Sequence, residues 1–74
     1  MDIRVKFGER VKLRREQLGL SQEEFAFQSG IHRTYVSGVE RGVRNPSLTM
    51  VERIAKALNM SFNDLLGEKP ERDK

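Results

Sequence analysis

The residues best suited to chemistry in this 74-residue chain lie between His32 and Asn45. At 100° per residue, Arg33, Thr34, Ser37, Gly38 and Arg41 fall on one side of a helix, opposite Val36 and Val39. That arc carries no acid. An ordinary solvated helix face usually carries Glu and Lys in i,i+4 pairs. Here there are hydroxyls, two guanidinium groups and one missing side chain. Such a surface suits close approach to a phosphate backbone and to base edges. Gly38 in mid-helix costs about 1 kcal/mol against Ala, and groove contact gives that absence a reason. The plainer alternative is a glycine that is merely tolerated. Tyr35 sits by angle beside the core, so it is expected half buried with its hydroxyl within reach of a phosphate. Arg44 and Asn45 follow in the next loop.

No other constellation competes. With no Cys and one His, His32, thiolate and zinc sites are not expected. Glu9, Glu23 and Glu24 have no base or metal partner in view. Ser21, Ser29, Ser37, Ser47 and Ser61 have no His in triad spacing, and helix caps account for three of them. The glycines are isolated terminators, not a phosphate loop. Neither an enzyme, nor a cofactor, nor a small-molecule ligand is expected.

Composition agrees with a small globular domain: charged residues are 34% of the chain, hydrophobic ones 36%, and the formal charge is +3. The charge is uneven. Residues 1–20 hold six basic and three acidic side chains, and residues 32–46 hold Arg33, Arg41 and Arg44 against Glu40. Residues 21–31 hold two acids and no base. A surplus concentrated on particular elements argues for a polyanionic partner better than net charge does. Uncharged runs fall far short of the roughly 18 residues needed to span a bilayer. The charged N-terminus has no apolar stretch of a signal peptide, so a cytoplasmic protein is expected.

The elements that position these residues are five short helices. The first is expected from about Ile3 to Leu18, with Ile3, Phe7, Val11 and Leu18 on an apolar stripe. Arg14 interrupts it, its stem covering apolar surface and its head reaching water. Gly19 stops the helix. Ser21-Gln22-Glu23-Glu24 is a capping box, with Ser at N-cap and Glu at N3. It opens a second helix over about 21–29, with Phe25 and Ala26 inward. Gly30 and Ile31 separate it from a third, about 32–41. His32 sits at an N-cap where Ser, Thr or Asp is usual. It caps poorly, or points at a phosphate, or is inert as a lone surface His more often is; at a phosphate, protonation below about pH 6.5 would strengthen the contact. Pro46 bars helix at Asn45. Ser47 caps a fourth helix, with Leu48, Val51, Ile54, Ala55 and Leu58 inward. Asn59 is a left-handed stop. Ser61 caps a last helix that Gly67 ends. Two short helices joined by a tight turn have the layout of a helix-turn-helix, although a hairpin that merely packs has the same spacing.

The motifs Leu20-Ser21-Gln22-Glu23-Glu24-Phe25-Ala26, Ser29-Gly30-Ile31, Ser37-x-x-Glu40-Arg41-Gly42 and Arg44-Asn45-Pro46-Ser47-Leu48 together resemble the Xre or Cro/cI family of helix-turn-helix regulators. The segment from Arg33 to Arg41 with Arg44-Asn45 is most similar to controller proteins of restriction–modification systems. The resemblance, over about residues 5–66, implies an all-α, compact, five-helix, lambda-repressor-like domain; the residue pattern bounds the domain at 1–67 and leaves a flexible polar tail over 68–74. The resemblance also implies that Gln22 touches the DNA backbone or a nearby base. Ser21 offers its amide end to a phosphate. Arg33, Thr34 and Tyr35 read bases, with Arg33 bidentate to a guanine. Ser37 and Arg41 match backbone contacts. Arg44 and Asn45 reach phosphates or the adjacent groove. An Arg in the first helix pairs with the Glu ending the recognition helix, here Arg15 and Glu40.

The last helix carries Phe62, Leu65 and Leu66, with Met60 beside them. One of the leucines closes the monomer core. The rest of the set is expected to form a two-fold homodimer interface, as the resemblance also implies. Two half-sites about 34–36 Å apart would double the base pairs read. The expected function is sequence-specific regulation of transcription, by a homodimer on double-stranded DNA at a pseudo-palindromic operator near RNA polymerase. The alternative is an antitoxin or adaptor that keeps the fold and binds protein.

Overall fold

The computed structural model describes residues 2–66, which form five α-helices and no strand. They are α1 (Ile3–Gln17), α2 (Gln22–Ser29), α3 (Arg33–Glu40), α4 (Leu48–Ala57) and α5 (Phe62–Leu66). The expected stop at Gly67 and the tail 68–74 lie outside the described residues.

Local chemistry sets the boundaries. The Ser21, Ser47 and Ser61 hydroxyls accept from the backbone N–H three residues on, at 3.0, 3.1 and 2.9 Å. At α1 the cap is Asp2, which the sequence pattern did not single out. Its carboxylate accepts from the Arg4 N–H at 2.9 Å and pairs with the Arg4 guanidinium at 2.7 Å. These bonds pull its pKa down to about 2. The C-termini of α1, α3 and α4 share one device. The second residue past the last helical one, Gly19, Gly42 or Asn59, takes positive φ, and its N–H and the next bond back to carbonyls of the last turn.

The core is drawn from every helix: Phe7 and Val11, Phe25 and Ala26, Ile31, Val36 and Val39, Val51, Ile54, Ala55 and Leu58, and Leu65. Burying each large apolar side chain contributes about 1.5–3 kcal/mol. Gly8 permits a close approach of α1 to α3. A Cβ there would overlap the Val39 and Glu40 carbonyl oxygens, so α1 lies directly on the last turn of α3. Gly8 is therefore a packing residue and not the terminator its isolation suggested.

Three apolar expectations fail at element ends. Ile3, Leu18 and Leu48 are exposed, Leu48 at 74%. Ile3 is the first residue of α1 and Leu18 its C-cap, so each stands at an end of the helix. Leu48 is the first residue of α4 and walls an open groove of about 130 Å³ with Ile3, Phe7, Pro46, Val51 and Leu66. Arg14 also differs. Its Nε donates to the Leu58 carbonyl at 3.1 Å, closing the end of α4 instead of turning to water. Arg10 does the same for α5 at the Asp64 carbonyl, also 3.1 Å.

Candidate nucleic-acid interface

α2 and α3 are joined by Gly30, Ile31 and His32. Gly30 adopts φ +72°, a left-handed conformation that a side chain would strain. Ile31 is buried and pins the turn to the core. The Ala26 carbonyl accepts from the Ile31 N–H at 3.1 Å. His32 does cap α3: its Nδ1 accepts from the Thr34 N–H at 3.3 Å. That nitrogen is thereby engaged within its own helix.

Val36 and Val39 face the core, as their spacing requires. Arg33, Thr34 and Arg41 are exposed on the other side, Ser37 and Tyr35 are half buried, and Arg44 and Asn45 are exposed in the following loop. Arg33 lies 4.0 Å from the Glu23 carboxylate, an exposed pair that leaves the guanidinium free to exchange partners. Tyr35 packs its ring on the core edge, and the Arg44 guanidinium carbon sits 5.1 Å from the ring centroid. Gly38 differs from expectation. It is buried, because the Arg44 side chain lies across it. The missing side chain makes room for Arg44 and not for an open groove wall.

Beneath this surface, Arg15 and Glu40 form a bidentate pair. The Arg15 Nε and Nη2 donate to Glu40 at 2.6 and 3.0 Å, while Nη1 donates to the Leu20 carbonyl at 2.7 Å. Both side chains are largely shielded from water. The Glu40 hydrogen bond raises the Arg15 pKa above its usual value. Gln22 joins this cluster: its amide Nε2 donates to the same Glu40 oxygen that Arg15 Nη2 contacts, at 3.0 Å. Gln22 is thus half buried, with its amide tied to Glu40. Ser21 differs from expectation. Its N–H donates to the Glu24 carboxylate at 2.7 Å, so the amide assigned to a phosphate is already engaged. Ser21 is a complete capping box residue.

Of the three apolar residues in α5, Leu65 is 0% exposed and belongs to the monomer core, which removes it from any surface set. Phe62 is exposed and Leu66 half buried. Leu48 stands with Phe62 beside a second surface depression and with Leu66 around the groove. It is an exposed apolar residue that sequence spacing placed inside. Phe27, 88% exposed on α2 between Glu23 and Gln28, was not singled out either. A departure from the inward pattern of Phe25 and Ala26 was its only signal. Among the described residues no three His, Cys, Asp or Glu side chains cluster as metal ligands, and no helix is long and apolar enough to cross a membrane.

Comparison with known proteins agrees with this architecture. The helix-turn-helix family model matches residues 11–65. The chain is 47% identical over 66 residues to the control protein C.BamHI of Bacillus amyloliquefaciens, spanning 88% of this chain and 82% of that one. The crystal structure of the restriction-modification controller protein C.AhdI from Aeromonas hydrophila superposes with a TM-score of 0.81 at 50% identity, over 84% of this chain and 94% of that one. The controller protein C.Esp1396I, solved as a tetramer in complex with its natural 35 base-pair operator, superposes with a TM-score of 0.80 at 35% identity, over 89% and 91% of the two chains. With α2 and α3 as its helix-turn-helix pair, the chain belongs to the Xre/Cro-cI type of helix-turn-helix family, among relatives that include restriction–modification control proteins.

Proposed function

We propose that this protein is a sequence-specific transcriptional regulator of the restriction–modification controller kind. It binds a pseudo-palindromic operator in cytoplasmic double-stranded DNA as a homodimer. The observation that carries this reading is the exposed surface of α3 and its following loop. Arg33, Thr34 and Arg41 stand clear of the core with Arg44 and Asn45 beside them, and the one acid of the helix, Glu40, is sequestered by Arg15. Arg33 at the first turn suits bidentate contact with a guanine, Thr34 beside it suits a base edge, and Ser37 and Arg41 suit phosphates. Leu48, Phe62 and Leu66 supply an apolar patch on the α4–α5 side for the second subunit. The operator-bound tetramer of C.Esp1396I supports the same mode of action here.

Selection from a random double-stranded DNA pool at near-physiological salt tests this. The expected result is a two-fold symmetric motif with half-sites about one helical turn apart. Binding that selects no sequence and disappears as salt rises would be charge attraction alone. It would favour the alternative of a protein-binding adaptor, for which the exposed Phe27 is the one supporting feature.

A further inference from the structure

We propose that Gly38 is a positioning residue: its missing side chain is the berth of the Arg44 stem, and it holds the Arg44 guanidinium over Tyr35 before DNA arrives. The inference rests on the DNA-binding reading above. Gly38 needs an explanation because glycine is a poor residue in mid-helix, and backbone conformation does not supply one. Among the described residues the glycines with positive φ are Gly19, Gly30 and Gly42, so Gly38 has ordinary helical geometry. Space does supply one. A Cβ at Gly38 would lie 2.8 Å from Arg44 Cγ and 3.1 Å from Arg44 Nε. Both contacts are closer than a side chain in place tolerates.

Three features converge on that berth. Gly42, at φ +77°, turns the chain back at the end of α3. The Val43 N–H then donates to the Gly38 carbonyl at 3.0 Å, which fixes the backbone next to Arg44. Beyond the glycine, the guanidinium carbon rests 5.1 Å from the Tyr35 ring centroid, within range of a cation–π contact. An arginine in an exposed loop ordinarily samples many rotamers, and ordering it on binding opposes affinity. Here the berth and the ring restrict it in advance, beside the residues that face DNA. Gly38 acts through Arg44 and does not itself touch a base.

The test is a double-mutant cycle on the intact chain with the selected operator as ligand. The Tyr35 ring is the one on which the Arg44 guanidinium rests, so ring-current shifts of the Arg44 side-chain protons report the stack by NMR in the free protein. Gly38→Ala should leave the melting temperature unchanged or raised, abolish those shifts, and weaken operator binding about two- to tenfold. In an Arg44→Ala background the same substitution should change binding no further. A Gly38→Ala protein that binds like wild type overturns the proposal. So does one that loses as much affinity without Arg44, because Gly38 would then face the DNA directly. Arg44→Lys, which keeps the charge without the planar stacking group, should lose a comparable factor. Wild-type affinity in that variant also overturns the proposal, whether or not Gly38→Ala folds. A wild-type protein that selects no sequence overturns the regulator reading and the DNA role of Arg44 with it. The dependence of the NMR shifts on Gly38 would separately establish or refute the berth.

Discussion

Two arginine sites lie on opposite sides of the helix-turn-helix, and they differ in everything except the side chain. Arg15 is enclosed between α1 and α3, with both faces of its guanidinium fork satisfied by Glu40 and the Leu20 carbonyl. Arg33 is exposed at the first turn of α3, with only a distant carboxylate at 4.0 Å. The first is shielded from any ligand and spends three of its five N–H donors inside the fold. The second keeps nearly all of its donors for a ligand. Environment and not residue type separates the arginine that holds the fold from the arginine offered to a partner. Glu40 makes the separation possible. By sinking into the Arg15 pair it removes the one acid from α3 and leaves the outer face cationic.

Breaking the buried site should have the largest effect. Glu40→Ala leaves Arg15 buried without its partner and should cost about 3–5 kcal/mol in folding stability, read by urea denaturation. Replacing both residues by apolar ones of similar volume should recover most of that loss. If Glu40→Ala changes stability by less than about 1 kcal/mol, the pair is not the clamp between α1 and α3. Arg33→Ala should show the reverse pattern. Stability should stay within about 0.5 kcal/mol, while operator affinity falls by about 1–3 kcal/mol and discrimination relaxes at one guanine. An equal loss on every sequence would leave Arg33 a phosphate contact and erase half of the contrast.

Ser21→Ala sharpens the comparison at the start of α2, where a cap and a phosphate contact were both available roles. Loss of the capping box should cost about 1 kcal/mol of stability. The operator affinity of the folded protein should be unchanged, since the hydroxyl that is removed already accepts from the Glu24 N–H and the backbone N–H of residue 21 is kept. The smallest effect is at Asp2. Its folded pKa of about 2 lies below the value of about 3.9 expected for an unfolded chain. Its contribution is therefore present above about pH 4 and is lost as pH falls through 2. Titration of the Asp2 carboxyl carbon by NMR checks this, and an unshifted midpoint would mean that the exposed Arg4 pair does not persist in solution.

What the sequence determined by itself was local. The capping box at Ser21, the caps at Ser47 and Ser61, the turn at Gly30 and the left-handed stop at Asn59 all depend on hydrogen bonds between residues a few positions apart. Their chemistry is legible without the fold. The inward faces of α3 and, past its first residue Leu48, of α4 were legible for the same reason, because helical period is a local property. The pairing of Arg15 with Glu40 came from family resemblance, not from spacing, since 25 residues separate the partners. Tertiary structure alone decided the rest. It placed Leu48 outside and Leu65 inside, although both look alike in an apolar pattern, because exposure at a helix end depends on which neighbours overlap it. It drew Gln22 inward to Glu40, sent Arg14 to the end of α4, and filled the gap at Gly38 with Arg44. Each of these is a long side chain reaching a partner on another element. Sequence shows how far such a side chain can reach, but only the packed helices fix what lies within that distance.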